Sequence, residues 1–513
     1  MRTAFKRSGR LVAALCAVVL IAGCGGQETS SGGPDSLQGT DPDLARFYEQ
    51  EVSWGDCEET SGDTGLECAD LEVPADYDQP DGETTTVVMA RSASTSDAAG
   101  GSLILNPGGP GGSGVDLMQV APGYFDSSIQ ERYDLVSFDP RGVFRSDGID
   151  CLDAEGLDRW RAESAYDPAA ESLDELRSSY QEVGEACAEN SGPVLEHMDT
   201  DSVARDLDVM RAVLGDARTN YVGFSYGTQI GAAYAELFPD RVGRFVLDGA
   251  VDPSLSNAEI TLGQAESFEA SLRQFIQECT ETNAECFTDG TVDDGLAEVQ
   301  RIIARTQDET ITARDGRQIS AVSAVEGVLV PLYNPAAYST LNEALVDAQG
   351  GDYTALMGIS DTNHGRQSDG TYRGNSSVAF AAVNCLDYDS RNVTDEQMAA
   401  DQGALEQVSP TFGQFLGYTD AACQGWPFGP SGSPHAAQYT GDSEVLVVGT
   451  RHDPATPYPW AEALTEQLGN ARLLTYEGWG HGAYTSGNAC VVSAVDAYLV
   501  DGELPPEGEV CGG

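Results

Sequence analysis

The sequence has little positive charge. Its 27 Lys and Arg residues stand against 83 Asp and Glu residues, which gives a formal net charge of −56. Nucleic acids and anionic lipid surfaces attract clusters of Lys and Arg. We therefore expect the chain to bind no nucleic acid and not to be held to a membrane by electrostatic attraction. A surface this acidic favours solubility in an external medium.

Long apolar segments are also scarce. The one prominent run, from Leu11 to Gly23, has 13 residues, whereas a membrane-spanning helix needs about 20. Basic residues precede the run, as in a signal peptide. Ala22 and Gly23 in front of Cys24 resemble the lipobox of bacterial lipoproteins, and an ordinary secretory leader cleaved nearby is the alternative.

We therefore expect residues 1–23 to be removed as a signal peptide and Cys24 to carry a lipid. Residues 24–40 are rich in Gly and Ser and too polar to form a core, which predicts a flexible tether. On this interpretation the protein is exported and lies on the outer face of the bacterial cytoplasmic membrane. It is attached there through its N-terminal lipid only, and in part released.

The sequence lacks the clustered Cys and His residues that a zinc site needs. Once Cys16 and Cys24 are set aside, ten of the 12 cysteines remain, and disulfides are expected in an exported chain. Sequence alone does not give the connectivity, but these cysteines fall into five successive close pairs. The predicted disulfides join Cys57 with Cys68, Cys151 with Cys187, Cys279 with Cys286, Cys385 with Cys423, and Cys490 with Cys511.

Short apolar runs that end in Gly, Pro or Asp occur in two blocks, residues 41–253 and 431–513. Such runs are typical of buried parallel strands with loops at their carboxyl ends. Residues 254–430 between the blocks show amphipathic helical spacing instead. The sequence therefore predicts one α/β fold, the α/β-hydrolase fold, in which a mostly parallel sheet is built from both blocks and a largely helical cap is inserted between them.

The segment from Gly223 to Gly227 has the pattern G-x-S-x-G, with Ser225 at its centre. A short apolar approach precedes it and residues at helical spacing follow it, which predicts strand, sharp turn and helix. Such a turn forces unusual backbone angles on its central residue and exposes that side chain at the sheet edge. The pattern indicates a nucleophile, although in a chain with 58 glycines an ordinary turn is the alternative.

A nucleophilic serine needs a base to take its proton and a carboxylate to orient that base. Among the five histidines, His481 follows an apolar strand and is flanked by glycines. Asp453 precedes it by enough residues for one helix and one strand, so both should reach the edge where Ser225 emerges. The order Ser, Asp, His is that of the α/β-hydrolases. We predict a catalytic triad of Ser225, Asp453 and His481; a surface histidine and a helix-capping aspartate are the alternatives for each residue alone.

Acyl transfer also needs two donors for the charge that develops on the attacked carbonyl oxygen. We predict the backbone N–H of Tyr226 as one donor and that of Gly109 as the other. Gly109 lies in the glycine-rich segment from Asn106 to Gly114, and glycines let a backbone approach a substrate closely. A phosphate-binding loop is the competing interpretation of these glycines, but no Lys-Ser/Thr follows them.

Taken together, these segments resemble the secreted tripeptidyl aminopeptidase and proline iminopeptidase branch of the α/β-hydrolases, whose C-terminal segment is called TAP-like. The matching segments are, in order, NPGGPGGSG, FDPRGVFRS, GFSYGTQIGAAYAELFPDRV, VLDGAVDP, NCLDYD, GTRHDPATP and GHGAY. Asn106 is one departure, since many relatives have histidine there. The resemblance implies the triad Ser225, Asp453 and His481. It also implies release of tripeptides, other short peptides or single residues from peptide N-termini, with no metal or other cofactor.

An exopeptidase must recognise a terminal ammonium, which calls for a carboxylate at a fixed distance from Ser225. Asp387 is our candidate, because it lies two residues from Cys385, whose predicted disulfide would stiffen the segment. The alternative is one more solvated acid. The expected partners are peptides with a free N-terminus, while the oligomeric state and the substrate length are not readable from the sequence.

Two other functions stay open. A serine esterase or lipase would use the same triad, because only the pocket differs and the fold does not separate these activities. A catalytically silent α/β-hydrolase that acts as a surface binding module is the second. Such a protein should have lost a member of the triad, and all three residues are present in this sequence.

Overall fold

The structure is a computed structural model in which residues 41–57, 65–96, 100–163 and 173–512 are described. The strands are β1 (Gly55–Asp56), β2 (Glu67–Pro74), β3 (Thr84–Ser92), β4 (Ser102–Asn106), β5 (Asp134–Phe138), β6 (Thr219–Phe224), β7 (Val242–Asp248), β8 (Val445–His452), β9 (Ala471–Trp479) and β10 (Val510–Gly512). The predicted signal peptide, the lipid-carrying Cys24 and the tether lie outside the described residues.

These strands form one sheet with the order β1-β2-β3-β5-β4-β6-β7-β8-β9-β10. From β5 to β10 all neighbours are parallel. The first three strands pair antiparallel with one another, and β3 pairs antiparallel with β5. The predicted mostly parallel sheet is therefore confirmed, and the apolar runs of the sequence are β4 to β9.

The central strands are buried on both faces of the sheet. Along β7, Phe245 and Leu247 belong to one apolar cluster and Val246 belongs to another. Leu446 and Val447 of β8 divide in the same way. Because successive side chains of a strand point to opposite faces, a strand covered on both faces reads as a continuous apolar run.

Helices cover the sheet and make up most of the segment between residues 254 and 430. The helices before this segment are α1 (Ala45–Tyr48), α2 (Gly114–Met118), α3 (Ser127–Arg132), α4 (Ala154–Glu163), α5 (Leu173–Asn190), α6 (Thr200–Val213) and α7 (Tyr226–Leu237). Those within it are α8 (Asn257–Thr282), α9 (Val292–Asp308), α10 (Ala321–Leu329), α11 (Tyr338–Gln349), α12 (Thr354–Asn363), α13 (Ser376–Asp387), α14 (Asp395–Val408), α15 (Gly413–Leu416) and α16 (Thr419–Gly425). Two helices follow it, α17 (Tyr458–Leu468) and α18 (Ala489–Asp501).

The helical segment begins at a strong start signal. Ser256 accepts a hydrogen bond from the backbone of Glu259, and the Glu259 side chain accepts one from the backbone of Ser256, which together form a capping box for α8. Each exchange satisfies a backbone N–H that the first turn of a helix leaves without an acceptor. The chain therefore leaves the sheet after β7 and enters the cap at a fixed place.

The helical segment packs in two ways. Helices α8 to α12 share an apolar cluster of their own, which includes Phe275, Ile302 and Leu345. Helix α13 instead contributes Val378 and Leu386 to the cluster that includes strands of the sheet. Helices α8 to α12 thus pack around an apolar cluster within the segment, whereas α13 packs into the apolar core of the sheet. The exact boundaries of the cap, residues 254–430, stay a prediction.

All five predicted disulfides are present in the structure, with the predicted partners. The bond between Cys385 and Cys423 joins α13 to α16. None of the helices in the described ranges is both long and apolar enough to cross a membrane.

Candidate active site

Ser225 lies at a sharp turn between β6 and α7, with φ 55° and ψ −125°. The flanking glycines are required by close contacts. A Cβ at Gly223 would lie 2.4 Å from the carbonyl oxygen of Gly227, and a Cβ at Gly227 would lie 2.8 Å from Oδ1 of Asn106. A non-glycine residue with positive φ is strained, and such strain is found at functional sites. Within the described residues, the Ser225 hydroxyl has no hydrogen-bond partner.

Asp453 and His481 contact each other directly. Asp453 follows β8, His481 follows β9, and Nδ1 of His481 lies 2.9 Å and 3.0 Å from the two carboxylate oxygens of Asp453. The backbone N–H groups of Ala455 and Thr456 also donate to Oδ1 of Asp453, each at 2.9 Å. The Thr456 hydroxyl adds a longer contact of 3.3 Å to Nδ1. The carboxylate is thereby fixed, and it fixes the imidazole ring.

The environment of His481 makes it a stronger base. Burial lowers the pKa of His481, but the charge and hydrogen bond of Asp453, with the charge of Asp248, outweigh burial and raise the pKa above its ordinary value. Since Nδ1 faces a carboxylate, Nδ1 carries the proton and Nε2 is free to accept one. In the described part of the chain, Nε2 has no hydrogen-bond partner.

Asp248, at the end of β7, links the serine turn to the histidine loop. Its carbonyl oxygen accepts the N–H of Ser225 at 3.0 Å. Its fully buried carboxylate accepts the N–H groups of Ala483 at 2.9 Å and Tyr484 at 2.8 Å, and burial raises its pKa to about 6. The next residue, Gly249, is so close to His481 that a Cβ there would lie 3.0 Å from Cε1 of the ring. Sequence reasoning missed Asp248, and its place at the end of an apolar strand was the available signal.

The predicted oxyanion donors lie on two adjoining segments. Gly108 touches the serine turn, since a Cβ there would lie 2.9 Å from the Cβ of Ser225 and 3.0 Å from the backbone nitrogen of Tyr226. Its N–H already donates to Oδ1 of Asn106 at 2.9 Å. The N–H of the next residue, Gly109, has no acceptor among the described residues. The first N–H of α7, that of Tyr226, lies where a helix has no acceptor of its own.

The cap contacts the site through two residues that sequence reasoning missed. The carbonyl oxygen of Tyr333 accepts the N–H of His481 at 2.8 Å, and the two rings meet edge to face with centroids 5.4 Å apart. The backbone nitrogen of Phe380 lies 3.3 Å from the position that a Cβ at Gly111 would take. The side chains of Tyr333 and Phe380 are 37% and 50% exposed. No sequence motif marks either residue, because both contacts join distant parts of the chain.

Asp387 lies near the residue that follows the serine. The Thr200 hydroxyl donates to Oδ2 of Asp387 at 2.6 Å and is 2.7 Å from the Tyr226 hydroxyl. The N–H of Thr200 donates to the other carboxylate oxygen at 2.9 Å. Burial raises the pKa of Asp387 to about 7, and the charges of Asp199 and Asp201 add to this effect while the bonds from Thr200 oppose it.

A cavity adjoins Asp387 along one side of α7. Ser225 and His481 do not line it, but Gln229, one helical turn beyond Ser225, does. Its acidic lining residues are Asp199, Asp201, Glu236 and Asp387. In the described residues no group of three or more His, Cys, Asp or Glu side chains is placed to hold a metal ion.

Two protein-family models match the chain. One, described as alpha/beta hydrolase fold, covers residues 101–293, and the other, described as TAP-like protein, covers residues 409–511. Serine protease Hip1 of Mycobacterium tuberculosis is 36% identical over 489 residues, which are 90% of this chain and 91% of that one.

Two further relatives match this chain over a similar length. Carboxylesterase B of Mycobacterium tuberculosis is 36% identical over 470 residues, with 90% of this chain and 89% of that one covered. Tripeptidyl aminopeptidase of Streptomyces lividans is 30% identical over 481 residues, with 91% and 88% covered. Both the sheet and these matches agree with the resemblance in the sequence motifs, and the chain belongs to the α/β-hydrolases with a TAP-like C-terminal domain.

Proposed function

We propose that this protein is an exported serine exopeptidase that releases short peptides from free peptide N-termini through an acyl-enzyme. The observation that carries the proposal is the hydrogen bond between Asp453 and His481, in a loop that Asp248 ties to the strained turn of Ser225. The names of two relatives, serine protease and tripeptidyl aminopeptidase, support a peptide as the substrate.

In the proposed reaction, Oγ of Ser225 bonds to the scissile carbonyl carbon while Nε2 of His481 takes its proton. The N–H groups of Gly109 and Tyr226 stabilise the negative charge on the carbonyl oxygen. His481 then gives the proton to the leaving amine as the C–N bond breaks. A water molecule attacks the acyl-enzyme by the same steps in reverse, which frees Ser225 and releases the N-terminal fragment.

The exopeptidase part of the proposal depends on Asp387. A terminal ammonium needs a carboxylate held in place, and two bonds from Thr200 hold this one. The raised pKa of Asp387 means that at neutral pH part of the population is protonated, and an incoming ammonium can take the place of that proton. Since Asp387 is tied through Thr200 to Tyr226, the anchor would stand at a constant distance from the nucleophile.

A serine esterase is the second candidate, and two observations favour it. The partly exposed ring of Tyr333 lies against His481, and the backbone of Phe380, a residue with an exposed side chain, lies against the glycine-rich loop. They would suit an apolar acyl group as well as an apolar side chain. Carboxylesterase B is also among the relatives.

Labelling with a fluorophosphonate tests the nucleophile. Trypsin cleaves after Arg218 and Arg241 and so isolates Ser225 in one peptide. We expect the label on this peptide to be lost in Ser225→Ala and strongly reduced in His481→Ala. Label that persists on the peptide of the Ser225→Ala protein would contradict the assignment.

One short peptide, offered with a free and with an acetylated N-terminus beside acyl esters of increasing length, tests the substrate class. We expect cleavage of the free peptide to be much faster. Equal rates for the two peptides, or faster turnover of long-chain esters, would refute the aminopeptidase and leave the triad in place.

Metabolic labelling with a fatty acid, with Cys24→Ala as the control, tests the proposed lipid anchor.

A further inference from the structure

A second hydrogen-bonded series of a serine, a histidine and a carboxylate side chain lies in the helical segment. His364, at the end of α12, has Nδ1 2.7 Å from the hydroxyl of Ser377 and Nε2 2.9 Å from Oε1 of Glu326. Glu326 is on α10 and Ser377 is in the first turn of α13. The three residues thus come from three different helices, and none of them belongs to the site around Ser225.

For a neutral imidazole, the hydrogen-bond partners determine the proton positions in this Ser-His-Glu series. A carboxylate can only accept, so Nε2 of His364 carries its proton towards Glu326, and Nδ1 accepts from the hydroxyl of Ser377. The second oxygen of Glu326 accepts from the Ser360 hydroxyl at 2.5 Å, and Arg161 donates to Ser360 at 3.0 Å. The carboxylate is therefore held on both sides. This is the arrangement in which a histidine activates a serine.

The start of α13 offers donors for a developing oxyanion. The N–H groups of Ser376, Ser377 and Val378 have no acceptor within the described residues. Asn375 precedes the helix, but its side chain does not cap it. Its oxygen instead accepts from the backbone of Phe144 at 3.0 Å. The positive end of the helix is thus left without its usual partner, beside the Ser377 hydroxyl.

The three side chains of this series are accessible to solvent. Ser377 is half-buried, and the side chains of His364 and Glu326 are 17% and 26% exposed. Groups this enclosed exclude a large substrate and restrict the candidates to small ones.

We propose that Ser377 is a second nucleophile, activated by His364 and Glu326, that accepts acyl groups from small activated acyl esters. Oγ of Ser377 bonds to the ester carbonyl carbon as its proton passes to Nδ1 of His364. The intermediate then expels the alcohol, which takes that proton, and leaves an O-acyl serine. Water attacks this ester by the same route, which releases the acyl group as a carboxylic acid and restores Ser377. No oxidant, metal or cofactor takes part.

The test uses the full-length Ser225→Ala protein and diisopropyl fluorophosphate, which forms a stable adduct with loss of fluoride. After reduction, trypsin cleavage at Arg373 and Arg391 yields one peptide that contains Ser376 and Ser377, and fragmentation of this peptide locates the adduct. We expect the adduct on Ser377. The rate of its formation should fall roughly 10²-fold in His364→Gln and stay unchanged in Asn363→Gln, at the exposed neighbour of His364.

Absence of the adduct from Ser377 would overturn the proposal, and this result needs no substitution in the cap. An adduct that forms equally fast with His364→Gln would also overturn it, because the histidine would then be structural only. If His364→Gln does not unfold cooperatively by circular dichroism, Glu326→Gln replaces it with the same expected loss of rate. Because this protein carries Ser225→Ala, the result does not depend on the proposed peptidase nucleophile, which is tested separately by labelling the peptide that contains Ser225.

Discussion

At the scale of single residues, Asp453 does more than accept one bond from His481. Its Oδ1 atom also receives the N–H groups of Ala455 and Thr456. Both donors are backbone N–H groups, so their directions are fixed by the loop. They therefore determine which end of any amide that replaces the carboxylate will face the loop.

We expect Asp453→Asn to fold and to lose about 10⁴-fold in kcat. The amide oxygen will face the N–H groups of Ala455 and Thr456, so the amide NH₂ will face Nδ1 of His481. The ring then carries its proton on Nε2 and cannot take one from Ser225. Steady-state kinetics on a free peptide, with the melting temperature as a check of folding, measure this. Asp442→Asn, at an exposed acid, is the control, and a kcat within tenfold of the unmodified protein would contradict the role of Asp453.

Asp387 should give the Michaelis constant a pH dependence. Its pKa is raised to about 7, so the charged form, which binds the ammonium in the proposed function, is populated as the pH rises through that value. KM for free peptides should therefore fall from about pH 6 to slightly above pH 7 and rise again above about pH 7.7, where half of the peptide ammonium groups have lost their proton. Asp387→Asn should raise KM for free peptides and abolish this trend.

The acetylated peptide separates this effect from the titration of His481. An uncharged N-terminus gains nothing from Asp387, so its KM should be the same in the variant and the unmodified protein. Asp389→Asn, at an exposed acid two residues away that pairs with Arg391, is the matched control. A KM for free peptides that is the same in Asp387→Asn would show that the carboxylate binds no ammonium.

Local spacing explains which site residues the sequence could predict. Ser225 is recognisable from the glycines two residues before and after it. His481 is recognisable because it closely follows an apolar strand. Asp248 and Tyr333 have no such local pattern, because Asp248 meets the histidine loop across 235 residues of chain and Tyr333 contacts it from the helical segment. Such contacts follow from the order of strands in the sheet and the position of the cap, which single motifs do not contain.

At the scale of elements, burial on both faces explains why β4 to β9 were predicted. A strand covered on both sides is a run of apolar residues that ends abruptly in a loop, and such a run is visible in the sequence. The antiparallel strands β2 and β3 are not marked by apolar runs, because buried residues alternate with exposed residues along β2 and with half-buried residues along β3. The last strand, β10, has three residues and no apolar run at all. The disulfides were predictable because partners are close in sequence, between 7 and 38 residues apart.

The end of β7 should control the position of the histidine loop. Asp248→Asn keeps the size of the side chain but leaves one of the two N–H groups, of Ala483 or Tyr484, facing an NH₂ group. We expect a loss of about 1–3 kcal/mol in the free energy of unfolding and a fall in kcat with little change in KM. Urea unfolding and steady-state kinetics measure the two effects.

Asp240→Asn, at an exposed acid just before β7, is the control for this variant. It should change neither the stability nor kcat. If Asp248→Asn were destabilised with an unchanged kcat, Asp248 would support the fold without holding His481 in place.

At the scale of the whole molecule, the excess of acidic residues must act on stability. With 83 acids and 27 basic residues, attraction within ion pairs can involve only a minority of the negative charges. The remaining acids repel one another across the surface, and this repulsion destabilises the compact state. Dissolved salt shortens the reach of the repulsion, from about 30 Å at 0.01 M to about 8 Å at 0.15 M.

We therefore expect the melting temperature to rise with ionic strength, by about 2 °C or more between 0.01 M and 0.15 M salt. Salt also weakens the surface ion pairs, but the repulsive contacts outnumber them, so the net effect is stabilising. Differential scanning calorimetry in NaCl, KCl and tetramethylammonium chloride measures it. Screening depends on ionic strength alone, so the three salts should give the same curve. A melting temperature that falls with salt would show that ion pairs outweigh repulsion, and a rise with one cation only would point to a specific binding site.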